Sequence, residues 1–193
     1  MAKRLIDILV SATALIVLSP IYAIVALAIC VGMGWPPLFT QTRPGLQGRL
    51  FSIYKFRTMT RAVDARGQLL PDDVRLTALG RFLRRTSLDE LPELINVLKG
   101  DMSIVGPRPH AAAAKAGDSL YWEVDARYWA RHCIKPGMTG LAQVRGHRGS
   151  TDHHQDLIDR LQSDLEYVSD WSIWRDLRII VATLGVLVHH KAY

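Results

Sequence analysis

Residues 86–109 decide the fold and the site, and they read T-S-L-D-E-L-P-E-L-I-N-V-L-K-G-D-M-S-I-V-G-P-R-P. An adjacent pair of carboxylates, Asp89 and Glu90, lies near the start, and Arg108 lies between two prolines at the end. Three more arginines precede the pair: Arg81, Arg84 and Arg85. Carboxylates beside concentrated positive charge suit chemistry on a phosphate ester, because one group attacks or binds a metal while cations hold the anion.

The same segment also fits a purely structural interpretation. Ser87-Leu88-Asp89-Glu90 has the pattern of a capping box, in which Ser87 caps a helix and Glu90 bonds back. A helix is predicted here by apolar spacing and by a Lys-Gly end: Leu91, Leu94, Ile95, Leu98, Lys99-Gly100. The two interpretations are compatible, since the first turn of a helix stabilises a carboxylate and offers backbone donors to phosphate.

The composition predicts one domain with an attached membrane segment and an anionic partner. The chain has 193 residues and a net charge of +6, which suits phospholipid headgroups, a phosphorylated substrate or nucleic acid. Its two cysteines, Cys30 and Cys133, exclude a disulfide framework, and its seven histidines form no recognised zinc pattern.

An apolar run at residues 5–30 points to a membrane before nucleic acid. Asp7 is its only charged residue, and as a helix the run would be roughly 39 Å long. That is too long for a cleaved signal peptide. Ser19-Pro20 interrupts the run and predicts a bend, and basic residues flank both ends. A re-entrant helix that returns to the same face and a kinked crossing helix both remain open.

The rest of the chain predicts an α/β fold that is mostly helical with a small β-hairpin. The hairpin is expected from residues 38–41 and 50–56, with a turn at Arg43-Pro44-Gly45. Residues 61–73 are expected to be loop, and 76–85 a basic amphipathic helix at the membrane interface. Further helices are predicted at 111–128, 156–169 and 177–188, the last too short to span a bilayer.

Four more polar side chains are candidate phosphate ligands beside Arg108. Lys55 and Arg57 alternate with aromatic residues, so both are expected on one strand face, where a solvated face is the simpler alternative. Gln143 and Arg145 follow the glycine-rich loop at 135–140, where backbone and arginine could cradle a phosphate. Spacing alone does not show that these residues converge.

These residues together resemble the bacterial sugar transferases, which are monotopic phosphoglycosyl transferases. The resemblance rests on ordered blocks along nearly the whole chain: Lys3-Arg4-Leu5-Ile6-Asp7, Ser19-Pro20, Gln41-Thr42-Arg43-Pro44-Gly45, Tyr54-Lys55-Phe56-Arg57-Thr58-Met59, Ser87-Leu88-Asp89-Glu90-Leu91-Pro92, Asn96-Val97-Leu98-Lys99-Gly100-Asp101-Met102-Ser103, Val105-Gly106-Pro107-Arg108-Pro109 and Lys135-Pro136-Gly137-Met138-Thr139-Gly140.

The resemblance implies transfer of a sugar 1-phosphate from a UDP-sugar to undecaprenyl phosphate, with release of UMP. Asp89 is the implied nucleophile, which forms an aspartyl phosphosugar, and the implied ligand of Mg²⁺. Glu90 is implied to assist protonation or to position the acceptor. Lys55, Arg57, Arg108, Gln143 and Arg145 would hold the phosphates.

The resemblance also implies a place in the cell. Residues 1–34 would form a re-entrant membrane helix that breaks at Ser19-Pro20, and residues 35–193 a compact catalytic domain with interfacial amphipathic helices. The expected location is the cytoplasmic face of the bacterial inner membrane, among anionic phospholipids. Nucleic acid is not an expected partner, whereas a homodimer is compatible with the family.

The sugar is the least determined part of the prediction. Residues 146–152, Pro109-His110 and Lys191-Ala192-Tyr193 look like the glucose-transferring branch, so UDP-glucose is the expected donor in exopolysaccharide synthesis. UDP-galactose and an N-acetylated sugar are alternatives, and so is a basic membrane-surface adaptor without catalysis. Many exopolysaccharide members carry a larger N-terminal membrane region, so the resemblance implies either a minimal form or a truncation.

Overall fold

A computed structural model of the chain describes residues 2–188 except 65, 67, 69, 148, 150 and 152. At residues 186–188 it describes the backbone only. Parts of the segments that indicate glucose, at 146–152 and 191–193, therefore lie outside the described residues. The described chain is mostly helical with three two-stranded sheets, as the sequence predicts.

Two N-terminal helices form the apolar run, and the predicted bend between them is confirmed. Helix α1 (Ala2–Val17) and helix α2 (Ser19–Met33) meet at an angle of 62°. Pro20 lies in the first turn of α2, where its missing N–H removes no helical hydrogen bond. Among the described residues, no unbroken helix has the length and hydropathy of a membrane span; only the bent pair passes that test together.

Polar residues at the start of α1 attach it to the rest of the protein. The carboxylate of Asp7 is buried and accepts hydrogen bonds of 2.9 Å from the Ser103 hydroxyl and from the Ile104 backbone N–H. Arg4 donates to the carbonyls of Val97 and Leu98 at 2.5 and 2.7 Å. The single charge within the apolar run is therefore a docking contact, which explains how it is tolerated there.

The hairpin forms, with its second strand as predicted and its first strand longer than the sequence indicates. Strand β1 (Leu38–Pro44) pairs antiparallel with strand β2 (Leu50–Phe56), and Pro44 faces Leu50. The predicted turn at Arg43-Pro44-Gly45 is wrong by about two residues, because Arg43 and Pro44 still belong to β1. The connection instead contains a short 3₁₀ turn at Leu46–Gly48.

The middle of the chain carries the charged elements. Helix α3 (Asp72–Arg75) lies in the region expected to be loop, and helix α4 (Ala78–Arg85) begins two residues later than predicted. Thr77 caps α4, since its side chain accepts a hydrogen bond of 2.9 Å from the Gly80 N–H. A 3₁₀ turn (Leu88–Glu90) and helix α5 (Glu93–Lys99) follow, and Gly100 ends α5 with a φ of 90° as predicted.

The long helix predicted at 111–128 is wrong. Strand β3 (Ser103–Val105) is followed by a tight hairpin of strands β4 (Lys115–Ala116) and β5 (Ser119–Leu120), by helix α6 (Tyr121–Val124) and by a 3₁₀ segment (Ala126–Cys133). Gly117, with a φ of 59°, makes the two-residue turn that interrupts the alanine-rich sequence.

The C-terminal elements close the core, and the two predicted long helices form, but a strand lies within the segment 135–140 that was predicted as a loop. Strand β6 (Gly137–Thr139) pairs parallel with β3, and helix α7 (Leu141–Val144) leads to the long helices α8 (His154–Ser169) and α9 (Ile173–Val188). The main apolar core joins α5, β3, β6 and α9 around Val97, Met102, Val105 and Tyr167, and α1 packs against it. A second cluster joins α2 to β2 and α4 through Ile29, Phe56 and Leu83.

Candidate active site

A large cationic groove runs beside the acid pair. Its cavity volume is about 980 Å³, and both Asp89 and Glu90 line it. The cations along its wall include Arg43, Lys55, Arg57, Arg61, Arg84 and Arg108. Residues from β1, β2, α4 and the Pro-Arg-Pro corner therefore converge here, which spacing alone could not show. A groove of this charge attracts a polyanion such as a diphosphate.

Glu90 is held by two of the predicted cations. Arg108 forms a bidentate ion pair with its carboxylate, and Lys55 Nζ lies 2.8 Å from Oε1. Burial alone would raise the pKa of Glu90, but the charges of Arg108 and Lys55 outweigh it and hold the pKa well below its usual range. Glu90 is therefore ionised at neutral pH and orients both cations.

Asp89 shows the opposite shift from its neighbour. It is buried, and burial followed by the negative charge of Glu90 raises its pKa to about 6. Lys55, Arg108 and Arg84 offset part of that rise. Adjacent carboxylates with pKa values pushed apart are typical of sites where the two groups have different roles. Asp89 is ionised at neutral pH yet more basic than an ordinary aspartate, which suits a nucleophile.

A third carboxylate, Glu93, belongs to the same cluster and was missed in the sequence. Its side chain is 1% exposed, and Lys55 Nζ lies 3.2 Å from Oε1. Burial raises its pKa to about 7, with a further contribution from Glu90. Glu93 follows Asp89 and Glu90 at helical spacing, which could have indicated a third member of the cluster. An acidic residue in the first turn of a helix, however, is normally explained by the helix dipole alone.

Backbone contacts bring the acids and cations together. The fully buried amide of Asn96 on α5 donates to the Ser52 carbonyl at 2.7 Å and accepts from the Tyr54 N–H at 3.0 Å. This clamp fixes β2 against α5 and so carries Lys55 to the carboxylates. On the other side, β3 and β6 approach so closely that a Cβ on Gly137 would lie 2.1 Å from the Gly106 nitrogen. Glycine is therefore required where the chain enters the Arg108 corner.

The capping box predicted for this segment is wrong. Ser87 has a left-handed backbone with a φ of 56° and makes no capping hydrogen bond, and Glu90 is occupied by cations instead of the backbone. Helix α5 begins only at Glu93, after Pro92. The 3₁₀ turn that replaces the predicted first helical turn directs Asp89 into the groove.

Arg57 lines the groove, but its guanidinium has a structural role. It lies one residue beyond β2, and it donates to the carbonyls of Met33 and Gly34 at the end of α2. Both residues line the groove, so phosphate binding by Lys55 and Arg57 stays a prediction. Lys55 contacts the acids, whereas Arg57 attaches helix α2 to the hairpin.

Gln143 and Arg145 lie away from the groove. Arg145 forms an exposed ion pair with Glu166 on α8, at 2.5 and 2.8 Å, and so does not join the predicted cation set. Gln143 donates to the Met138 carbonyl at 3.1 Å. It lines a separate, mostly apolar cavity of about 250 Å³ that reaches Glu90 from the side of α1 and α9. This apolar cavity is lined by Val10, Leu91, Leu94, Ile180 and Leu184, among others.

The donor atoms of the groove fit a magnesium ion that is shared with a substrate. Among the described residues, no three His, Cys, Asp or Glu side chains cluster closely enough to hold a metal. Magnesium, however, commonly binds through one or two carboxylates together with phosphate oxygens and water. Asp89 lines the groove as a buried carboxylate, while Glu90 is occupied by Lys55 and Arg108. The residues therefore fit one protein ligand plus oxygens from a diphosphate.

Comparison with known proteins adds a family to this geometry. The family model described as bacterial sugar transferase matches residues 1–190. The chain is 46% identical over 185 residues to the undecaprenyl-phosphate glucose phosphotransferase of Komagataeibacter xylinus, a match that covers 94% of this chain and 35% of that protein. It is 44% identical over 184 residues to the UDP-glucose:undecaprenyl-phosphate glucose-1-phosphate transferase of Escherichia coli, which covers 94% of this chain and 39% of that protein.

A shorter relative has nearly the same extent. The exopolysaccharide production protein PSS of Rhizobium leguminosarum bv. phaseoli is 49% identical over 185 residues, and the match covers 94% of this chain and 92% of that protein. The chain thus spans between a third and two fifths of the two longer relatives and nearly all of this one.

Proposed function

The chain belongs to the bacterial sugar transferase family, and from this membership we propose that it transfers a sugar 1-phosphate from a UDP-sugar to undecaprenyl phosphate and releases UMP. UDP-glucose is the first donor to consider, since two relatives are named for it or for glucose transfer. The observation that carries the proposal is Asp89, a buried carboxylate of raised pKa on the wall of a cationic groove.

The reaction has two displacement steps at one phosphorus. A carboxylate oxygen of Asp89 attacks the sugar-side phosphorus of the donor, the bond from that phosphorus to the bridging oxygen breaks, and UMP leaves with the electron pair. An oxygen of the lipid phosphate then attacks the same phosphorus, and the bond to Asp89 breaks. The carboxylate is regenerated, and the product is a polyprenyl diphosphate sugar. A covalent intermediate allows the soluble donor to leave before the lipid reacts.

Glu90 is a positioning residue in this proposal. Its ion pairs with Arg108 and Lys55 hold two cations at the edge of the groove, next to Asp89. Because these charges lower its pKa, Glu90 has no proton to donate at neutral pH. The cations then offset the charge that builds up on the phosphate oxygens during transfer, which is a main source of catalysis in phosphoryl transfer.

Magnesium is the proposed cofactor, with Asp89 as its protein ligand. When bound, it neutralises the diphosphate of the donor. Lys55 and Arg108 supply fixed positive charge on the protein side of the same groove.

The membrane arrangement is proposed from exposed apolar side chains. Residues 1–34 would be the re-entrant anchor and 35–193 the catalytic domain on the cytoplasmic face of the inner membrane. The outer surfaces of α1, α2 and α9 are apolar, and the exposed side chains include Leu9, Ile16, Ile24, Val31, Trp174 and Val181. Such a surface on a soluble protein is unusual, and a lipid contact accounts for it. A homodimer stays a prediction.

The acceptor lipid has a matching entrance. The apolar cavity runs from α1 and α9 to Glu90, and Leu184 at its outer end is exposed among the lipid-facing side chains. We propose that the first isoprene units of the acceptor bind in this apolar cavity. The apolar tail would then extend to the membrane, and the lipid phosphate would lie beside the carboxylates. Gln143 would then contact the acceptor.

Measurement of UMP release from a panel of UDP-sugars tests the proposal. The full chain in lipid nanodiscs with Mg²⁺ and undecaprenyl phosphate is expected to release UMP from UDP-glucose, and a lipid-linked sugar should appear in equal amount. Release from UDP-galactose or an N-acetylated donor instead would keep the chemistry and change the sugar. No UMP from any donor would favour a membrane-surface adaptor without catalysis and would overturn the proposal.

A further inference from the structure

A second, smaller cavity lies behind the cations of the active site. This side cavity has a volume of about 150 Å³, and its wall includes Arg43, Lys55, Glu93, Arg108, His110 and Tyr121. It shares Arg43, Lys55 and Arg108 with the groove, so the two spaces adjoin along the phosphate-binding edge. A cavity of this size accommodates a six-membered ring.

Three residues that line this space carry buried polar atoms without hydrogen-bond partners. His110 is 6% exposed, and its Nε2 has no partner. Glu93 is 1% exposed, and neither of its oxygens accepts a hydrogen bond, although Lys55 lies 3.2 Å away as an ion pair. Arg43 adds a buried Nε without a partner. Leaving buried polar groups unsatisfied is costly, and such groups are typical of sites completed by a ligand.

The tautomer of His110 follows from its other nitrogen. Arg131 Nη1 lies 3.2 Å from His110 Nδ1, and a guanidinium can only donate, so Nδ1 accepts. Burial and the neighbouring positive charges, first that of Arg131, lower the pKa of His110 well below its usual value, so the ring is neutral. A neutral ring that accepts at Nδ1 carries its proton at Nε2. His110 therefore presents an N–H donor to the cavity, near a carboxylate acceptor.

We propose that the side cavity binds the sugar ring of the donor, with His110 Nε2–H donating to one sugar hydroxyl and Glu93 accepting from another. This inference rests on the proposed function and names the sugar subsite for it. Sugar hydroxyls both donate and accept, and the residues around the cavity offer donors on His110 and Arg43 and an acceptor on Glu93. Lys55, Arg108 and Arg160 on the same wall would also attract an anion, so the comparison of UDP-glucose with UDP distinguishes the sugar from a phosphate group. Tyr121 is buried, and its ring centroid lies 4.9 Å from that of His110. The ring of Tyr121 supplies an apolar wall.

The position of the cavity agrees with the reaction. The sugar is bonded directly to the phosphorus that Asp89 attacks, so its subsite must adjoin the cations that hold that phosphate. Lys55 and Arg108 form the shared edge. Glu93 would also link the two spaces, because Lys55 contacts both Glu93 in the cavity and Glu90 in the groove.

The test compares His110→Asn with wild type on UDP-glucose and on its four monodeoxy analogues. Asparagine keeps an acceptor for Arg131 and removes the Nε2 donor. We expect kcat/KM for UDP-glucose to fall about tenfold to a hundredfold, and we expect one deoxy analogue to show no further loss in the variant. Equal losses on all five donors, or no loss on any, would overturn the assignment.

His132→Asn is the matched control, since this histidine is also 6% exposed but lines neither the side cavity nor the groove. It should leave the preference among donors unchanged. If His110→Asn does not fold, Glu93→Met replaces it, because methionine removes both carboxylate oxygens at a similar side-chain length. The same expectation then applies to a different hydroxyl.

Calorimetric binding separates this inference from the proposed function. His110→Asn should weaken UDP-glucose and leave UDP unaffected. If UDP weakens equally, the cavity holds the nucleotide and the inference fails while the transferase proposal stands. If wild type releases no UMP from any donor, the transferase proposal fails, and a difference between UDP-glucose and UDP binding still supports the sugar subsite.

Discussion

Two regions of this protein bury carboxylates beside arginines, and we call them the core pair and the site cluster. They differ in whether the buried charges are matched. In the core pair, Arg131 and Asp164 are each 2% exposed, and Arg131 Nε and Nη2 donate to one Asp164 oxygen at 2.9 and 2.7 Å. The site cluster consists of Asp89, Glu90, Glu93, Lys55 and Arg108; in it Lys55 pairs directly with Glu90 and Glu93, and Arg108 pairs with Glu90.

The difference lies in what each region leaves unmatched. The core pair has one positive and one negative charge. Arg131 also donates hydrogen bonds to the Arg108 carbonyl at 2.6 Å and to His110. The site cluster has more acids than directly bound cations, and burial raises the pKa values of Asp89 and Glu93. Burial also raises the pKa of Asp164, but Arg131 matches that carboxylate one to one, whereas Lys55 is shared between Glu90 and Glu93. A pair with matched charges fixes the structure around it, whereas a cluster with unmatched groups can bind a substrate and react with it.

The largest expected effect is a loss of activity without loss of stability, caused by a substitution in the site cluster. Asp89→Asn removes the proposed nucleophile, so we expect UMP release to fall by about 10⁴-fold or more. Because a buried carboxylate of raised pKa is itself costly, the free energy of unfolding should stay equal or rise slightly. Full turnover in this variant, measured with UDP-glucose and undecaprenyl phosphate, would contradict the role of Asp89.

The next effect breaks stability at the core pair. Asp164→Asn leaves the Arg131 guanidinium buried without a counter-charge, which costs about 3–5 kcal/mol. In a domain of this size that lowers Tm by roughly 6–20 °C. Differential scanning fluorimetry in detergent measures it, with Asp89→Asn as the matched Asp-to-Asn control. A Tm equal to that of the control would remove the distinction between the two regions.

The sequence predicts the core pair and the site cluster unequally. Asp89, Glu90, Lys55 and Arg108 stand out because charges beside turn residues are unusual in an apolar segment. Arg131 and Asp164 carry no such signal, since each lies in a helical pattern where a charged residue normally faces solvent. Their burial depends on contacts between distant parts of the chain, which a single sequence does not specify.

Local patterns predicted the elements well where packing agreed with them. The bend at Ser19-Pro20, the Gly100 helix end and helices α8 and α9 follow from residues a few positions apart. The segment 111–128 failed because Tyr121 and Tyr128 pack around His110 and the Gly117 turn overrides alanine propensity. The contacts of Arg57 and Arg145 could not be predicted for a similar reason, since their partners at the end of α2 and on α8 are remote in sequence.

A third prediction sharpens what the cations of the site cluster contribute. Arg108→Lys keeps the charge but loses the bidentate geometry with Glu90, and lysine does not reproduce a planar fork. We expect kcat/KM to fall by about tenfold to a hundredfold, with a smaller change in Tm than Asp164→Asn causes. Steady-state UMP release measures the first quantity. Wild-type kinetics in this variant would mean that charge alone, and not the fork, is what the site requires.

A fourth prediction uses the pH dependence of stability at Glu93. Its pKa is 4.5 when unperturbed and about 7 in the folded protein. Between these values the folded state holds a proton that the unfolded chain has released, so the free energy of unfolding falls as pH rises, by up to ~1.4 kcal/mol per pH unit. Glu93→Gln should remove this part of the slope.

Chemical unfolding of wild type and Glu93→Gln at pH 5.5 and 6.5 isolates the contribution of Glu93, because Asp89 and the other groups that titrate in this range are common to both proteins. The difference in stability between the two proteins should widen with pH in favour of the variant. Parallel pH profiles would show that Glu93 is already ionised in the folded state, and the site cluster would then resemble the core pair more closely.

The smallest effect belongs to an arginine that neither region contains. Arg145 pairs with Glu166 at the surface, where its side chain is 42% exposed. Exposed ion pairs contribute about 0–1 kcal/mol, because water screens the charges and ordering the side chains costs entropy. Arg145→Ala should therefore change Tm by less than roughly 4 °C and UMP release by less than about threefold. If this variant instead loses as much activity as Arg108→Lys, Arg145 at the end of α7 must leave Glu166 and reach the groove when substrate binds. The site cluster would then include Arg145.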